Sequence, residues 1–219
     1  MNRLYTKGSV KEATSKRMVS LCFASSNTRV EDQSVGSRNM THWFPMRITY
    51  HREMRIKALL DDMGVESFLP MHWEMVETKN GGKKRSLQPA IHNLIFVKST
   101  QEFLTELKMT RTEFAPMRYI MKRSLSKNDK NEIMHVPDQQ MENFMRVASV
   151  QDDRVMFLDS NDFINRIGQR VKVIEGYFSG VEGVIKRINK NKRIVVQLEG
   201  VAAVAIAFVP ASYVRQIVD

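Results

Sequence analysis

The stretch Gly168-Gln-Arg-Val-Lys-Val-Ile-Glu-Gly176-Tyr-Phe-Ser-Gly180-Val-Glu-Gly183-Val-Ile185 wraps two short strands around a glycine-rich loop. Gly176 and Gly180 permit the backbone of a tight loop, and Gly183 lets one strand cross close to its neighbour. Five of the ten glycines of the 219-residue chain fall between Gly168 and Gly200. They punctuate short runs at 171–174, 184–188, 194–198, 201–209 and 213–217, and about 50 residues of such strands close only a small barrel.

Upstream, residues 151–167 turn acidic and lose their period, which marks a linker of roughly 15 residues. Residues 41–150 then read as one domain. An aromatic and β-branched strand over 43–50 leads into a helix with Ile56, Leu59, Leu60 and Met63 on one face, closing on Gly64. Residues 65–78 are extended apart from a break at Pro70, and they run into the basic turn Asn80-Gly-Gly-Lys-Lys-Arg85. The return strand over 91–98 contains the run Leu94-Ile-Phe-Val97, which implies burial on both faces and a central position. Ser99 and Glu102 read as a capping box for a helix whose apolar face is Phe103, Leu104 and Leu107. Strands at 117–122 and 133–136 flank a polar loop. A third helix opens at Pro137-Asp138 and places Met141, Phe144, Met145 and Ala148 on one face. The sum is an α+β chain: an α/β sandwich on a mostly antiparallel sheet, then a small SH3-like barrel over 168–219. Residues 1–40 mix Ser, Thr, Lys, Arg and Asn without a period and read as a mobile extension, with Met40 an alternative start.

The formal net charge is +10, and its distribution decides what it means. Residues 1–40 carry seven Lys/Arg against three acidic residues and residues 165–219 carry nine against four, whereas the stretch between holds eighteen against seventeen. The central domain is nearly neutral, so any nucleic-acid contact it makes is local. The single cysteine, Cys22, forms no internal disulfide, and the five histidines supply no recognisable zinc spacing, which fits a reducing, cytoplasmic setting without metal or cofactor. The apolar stretch at 18–24 is only about as long as the shortest signal-peptide core, so export is not the expected reading, and no run approaches the ~18 apolar residues of a membrane span.

No catalytic residue is identified. The run Gly81-Gly-Lys-Lys-Arg-Ser86 lacks the preceding glycine of a phosphate loop and lies between strands instead of opening a helix. Asp61-Asp62 and Asp152-Asp153 read as surface charge. The chain reads as a binding protein, not an enzyme.

The glycine-rich segment 168–185 resembles the KOW motif of NusG-like proteins and certain ribosomal proteins. Residues 42–148 resemble the NusG N-terminal domain, through Trp43-Phe44 opening the first strand, the charged helix from Arg52, Phe68-Leu-Pro-Met71, the basic turn, and Pro89-Ala-Ile-His-Asn-Leu-Ile-Phe-Val97. The wording of Arg47-Ile-Thr-Tyr-His-Arg-Glu53, Gly64-Val-Glu-Ser-Phe-Leu-Pro70 and Val136-Pro-Asp-Gln-Gln-Met-Glu-Asn-Phe-Met-Arg-Val147 is similar to UpxY-type paralogues, antiterminators of long capsular or exopolysaccharide operons. The resemblance implies a transcription elongation and antitermination factor that docks an apolar surface on the clamp helices of RNA polymerase. Here that surface would comprise Trp43, Phe44, Pro70, Ile91, Asn93 and Leu94. Where the family usually has Phe-Pro, then Gly or Asn, then an aromatic, this chain has Ile91-His-Asn-Leu94, so aliphatics replace the aromatic anchors.

Candidate nucleic-acid contacts, to non-template DNA or nascent RNA, are Arg52 and Arg55 on the first helix and Lys83, Lys84 and Arg85 beside Lys79 on the turn. In the KOW segment Tyr177, Phe178, Lys186, Arg187, Lys192 and Arg193, with Lys190 between them, are candidates for contacting a ribosomal protein or another factor. The alternative is a KOW-type RNA-binding or ribosome-associated protein without polymerase contact. That reading needs stacking platforms or a continuous basic face.

Overall fold

The computed structural model describes residues 40–78, 81–122, 131–150, 154–158, 168–188, 191–207 and 209–217. The expected extension falls outside the described residues save for Met40, as do Lys79, Asn80 and Lys190.

The first strand, β1 (His42–Ile48), alternates its side chains between two faces. Phe44, Met46 and Ile48 point into one cluster and Trp43 into another. After β1, the helix α1 (Glu53–Asp62) buries Ile56 and Leu60 and ends where the Gly64 N–H bonds to the Asp61 carbonyl and the Val65 N–H to that of Leu60. Gly64 takes the left-handed φ of +68° that this ending requires.

The segment expected to be one long strand divides at Pro70 into β2 (Ser67–Phe68) and β3 (Met71–Glu77), which join different sheets. Among the described residues β3 pairs only with β4 (Lys83–Pro89), as a two-stranded hairpin. The return strand β5 (Leu94–Ser99) is central, as its unbroken apolar run predicts. The order is β2-β5-β1-β6, with β6 at Met117–Tyr119, and every pairing is antiparallel.

Helix α2 (Gln101–Thr110) is capped by Thr100, whose hydroxyl accepts from the Phe103 N–H. The capping box expected at Ser99 is displaced by one residue because Ser99 is still the last residue of β5. The shift leaves Phe103 exposed and turns Leu104 and Leu107 inward. Two short strands, β7 (Met121–Lys122) and β8 (Glu132–Ile133), pair with each other, and Val136 then bridges back to Trp43.

Helix α3 (Asp138–Ala148) buries Met141, Phe144, Val147 and Ala148. Phe144 lies 5.6 Å from the ring of Phe96 and edge-on to Phe68, which fastens the helix to the four-stranded sheet. The same helix packs on strands of the C-terminal half. One continuous cluster therefore runs from Trp43, Leu94 and Phe96 through α3 to Val171, Ile194, Val196 and Val204. Burial of each such side chain stabilises by about 1.5–3 kcal/mol, so α3 is the principal bond between the two halves.

The C-terminal strands are β9 (Val155–Leu158), β10 (Gln169–Val173), β11 (Glu182–Ile188), β12 (Asn191–Leu198), β13 (Ala202–Ile206) and β14 (Val214–Gln216). They form a six-stranded antiparallel sheet in the order β14-β10-β11-β12-β13-β9. Two expectations change. Residues 155–158, inside the expected linker, are strand. They also take the free edge of β13, so among the described residues the ladder is an open sheet instead of a closed barrel. Gly183 has the role its spacing suggests: a Cβ there would come within 2.8 Å of the Val195 carbonyl oxygen. Among the described residues no helix is long and apolar enough to cross a membrane.

Candidate nucleic-acid and polymerase interface

The β3–β4 hairpin stands outside both larger sheets, and its register settles which side chains share a face. Trp73 lies opposite Leu87, Met75 opposite Arg85 and Glu77 opposite Lys83, while Val76 and Lys84 share the other face. The hairpin is anchored at its root, where Leu69, Pro70 and Pro89 are buried and the Ala90 N–H bonds to the Pro70 carbonyl. Toward the tip the apolar residues are exposed, Trp73 at 42% and Met75 at 59%. The Arg85 guanidinium lies over the Trp73 ring, 5.2 Å from its centroid, a cation–π contact. Lys83, Lys84 and Arg85 are all exposed, so the basic turn offers cations beside an aromatic plane. Arg52 and Arg55 belong instead to the start of α1, and Arg52 stacks over Tyr50 at 5.6 Å.

The six residues expected at a polymerase surface do not form one patch. Trp43, Phe44 and Leu94 are 2%, 4% and 4% exposed. Trp43 and Phe44 are neighbours on a strand, so they point to opposite faces. Trp43 and Leu94 lie in the cluster that α3 covers, and Phe44 lies in the core beneath α1 and α2. Pro70 is buried at the hairpin root. Ile91 and Asn93 stay half-exposed on the turn between β4 and β5. Asn93 adopts φ +60°, donates its N–H to the Glu53 carboxylate and accepts from the Ile48 N–H, which holds the turn against β1 and α1.

In the C-terminal half Tyr177 is exposed and meets the buried Phe178 edge-on at 5.4 Å. Lys186 departs from the expected exposed cluster: it is only 9% exposed, and its ammonium donates to Gln197 Oε1. Burial lowers its pKa below the ordinary lysine value. Arg187 and Lys192 are exposed and lie opposite each other in the β11–β12 ladder, with Arg193 half-buried beside them. A cleft of about 300 Å³ adjoins Lys192 and Arg193, with Val171, Ile194, Val209 and Val214 on its walls.

Residues 41–145 match the family model described as "Transcription termination factor nusG". That segment is similar to NusG. The matched segment takes in the four-stranded sheet, the hairpin, α1, α2 and α3 to within three residues of its end. Among solved structures, one described as "Domain interaction in Thermotoga maritima NusG" aligns with 81% of this chain and 97% of its own, at 16% identity and a TM-score of 0.39. No curated protein matches significantly. The matched family is one of transcription factors, and its members bind RNA polymerase.

The sequence reading missed Trp73, although its position in an extended run beside a basic turn was a usable signal. It also missed the approach of His51 and Glu53 to His92, which nothing in local spacing announces because the turns that bring them together are distant in sequence.

Proposed function

We propose that this chain is a non-catalytic, cytoplasmic factor that binds the clamp helices of RNA polymerase through its N-terminal domain and suppresses pausing and termination. The observation that carries the reading is the family match over 41–145, a segment that leaves the 91–93 turn and the basic hairpin at the surface. Ile91 supplies the reachable apolar contact. Trp73, Lys83, Lys84 and Arg85 reach toward nucleic acid in the polymerase cleft, where stacking and phosphate contacts suit an exposed aromatic among cations. Arg52 and Arg55, at the start of α1, offer further cations to nucleic acid.

A bound factor shifts polymerase between paused and active states only by binding one of them more tightly, and a bridge across the cleft favours the closed, active one. Catalysis is no part of this reading. The glycine-lysine run at 81–86 enters a strand, so it presents no helix N-terminus to a phosphate. The C-terminal half would act as a KOW-type module that recruits a ribosomal protein or another factor through Tyr177, Arg187 and Lys192. Likeness to UpxY-type wording points to long polysaccharide-biosynthesis operons as targets.

The test is a pull-down of the full chain on the isolated clamp-helix fragment. Wild type is expected to bind and Ile91→Asp, verified as folded by circular dichroism, to lose at least tenfold in affinity. Absence of binding by folded wild type, together with RNA binding that weakens steeply with salt, would favour the RNA-binding alternative.

A further inference from the structure

We propose that His51, Glu53 and His92 form a binding site for a divalent transition-metal ion, with zinc the ion their donor set fits. One ligand atom from each residue lies within 4.8 Å of the other two. Two imidazole nitrogens and one carboxylate oxygen are a zinc donor set that leaves a fourth position open to solvent. Magnesium and calcium, which take oxygen ligands, are poorly served by it.

Two turns bring the three residues together. His51 precedes α1, Glu53 is its first residue, and His92 lies on the turn between β4 and β5. The turns are joined by the Asn93 N–H bond to Glu53 Oε1 and the Ile48 N–H bond to the Asn93 carbonyl. Glu53 is 2% exposed, so its carboxylate is fixed from below, while both histidines are exposed above it. The two imidazoles meet edge to face, 5.9 Å between centroids and 86° between planes. Tyr50 and His51 both hold left-handed φ, +66° and +50°, a conformation disfavoured by a Cβ, and it is this bend that turns His51 back toward His92.

A buried carboxylate calls for a compensating partner. One Glu53 oxygen has the Asn93 amide; a cation shared with the two histidines would serve the other. Arg52, next to Glu53 in sequence, has its guanidinium over the Tyr50 ring. Zinc with ligands at about 2.0–2.2 Å would draw the three ligand atoms to about 3.3 Å from one another, a contraction that rotation of two exposed imidazoles can supply. The ion would clip the 91–93 turn to the start of α1. The inference does not depend on what that turn binds.

The test is calorimetric titration of the tag-free, metal-stripped full chain with zinc chloride, with magnesium chloride as the control. Expected is one zinc per chain and no magnesium. The Tm should rise by about 5 °C or more when free zinc is a hundredfold above Kd. His51→Ala and His92→Ala should each weaken binding at least tenfold, and the double variant should abolish it. Glu53→Gln, which keeps an acceptor for Asn93, should weaken zinc binding while leaving the metal-free Tm nearly unchanged. Absence of zinc binding, or binding that survives the double variant through the separate pair His42 and His135, 5.1 Å apart between ring centroids, would overturn the proposal.

Discussion

Helix α3 and the β3–β4 hairpin both carry apolar residues at the period of their secondary structure, yet they end in opposite environments. Met141, Phe144, Val147 and Ala148 of the helix are buried between two sheets, whereas Trp73, Met75 and Val76 of the hairpin are exposed. The difference lies in what stands on either side. α3 is sandwiched, so its apolar residues stabilise the fold. Among the described residues the hairpin has no third layer, and a two-stranded ribbon is marginal by itself. Apolar surface left on such an arm does little for folding and is available for binding.

The largest expected effect is on the helix. Phe144→Ala removes a fully buried ring that meets both Phe68 and Phe96, and urea denaturation should register a loss of about 3–5 kcal/mol. A loss below about 1 kcal/mol would mean that α3 is not the shared core. Next comes Gly183→Ala, where the new methyl would press on the Val195 carbonyl and Ile194; the expected cost is about 1–3 kcal/mol, seen as a Tm lower by several degrees. Arg146→Ala tests the seam itself, since its guanidinium donates to the Ser179 carbonyl across the two halves at 2.9 Å. Losing that exposed bond should cost no more than about 1 kcal/mol, and the two halves should still unfold together.

At the far end of the comparison, Trp73→Ala should change stability by no more than about 0.5 kcal/mol. Its affinity for single-stranded nucleic acid, followed by fluorescence anisotropy, should nevertheless fall about tenfold, the scale of one lost base-stacking contact. A large stability loss with unchanged nucleic-acid binding would place Trp73 with the core residues and erase the contrast.

Much of this contrast could be read from the residues themselves. The helices α1 and α3 and the central strand β5 follow from strong periods or from an unbroken apolar run, because burial of a whole face dominates their energetics. What escaped depended on alternation or on distant pairing. Trp43 and Phe44 look like one aromatic anchor in the sequence, but a strand sends them to opposite cores. Lys186 looks like part of a cation cluster, yet its place on β11 turns it inward to Gln197. Residues 155–158 carry no period long enough to read, and they become strand only because the edge of β13 supplies partners. The approach of His51 and Glu53 to His92 requires two distant turns to meet, and no local pattern encodes that.

The central claim is that the chain acts on elongating RNA polymerase by binding. Single-round transcription across a pause site and a terminator, with and without saturating full-length chain, tests it most directly. The account predicts shorter pause dwell and more readthrough, both lost in folded Ile91→Asp; unchanged or longer dwell with the chain demonstrably bound would contradict it.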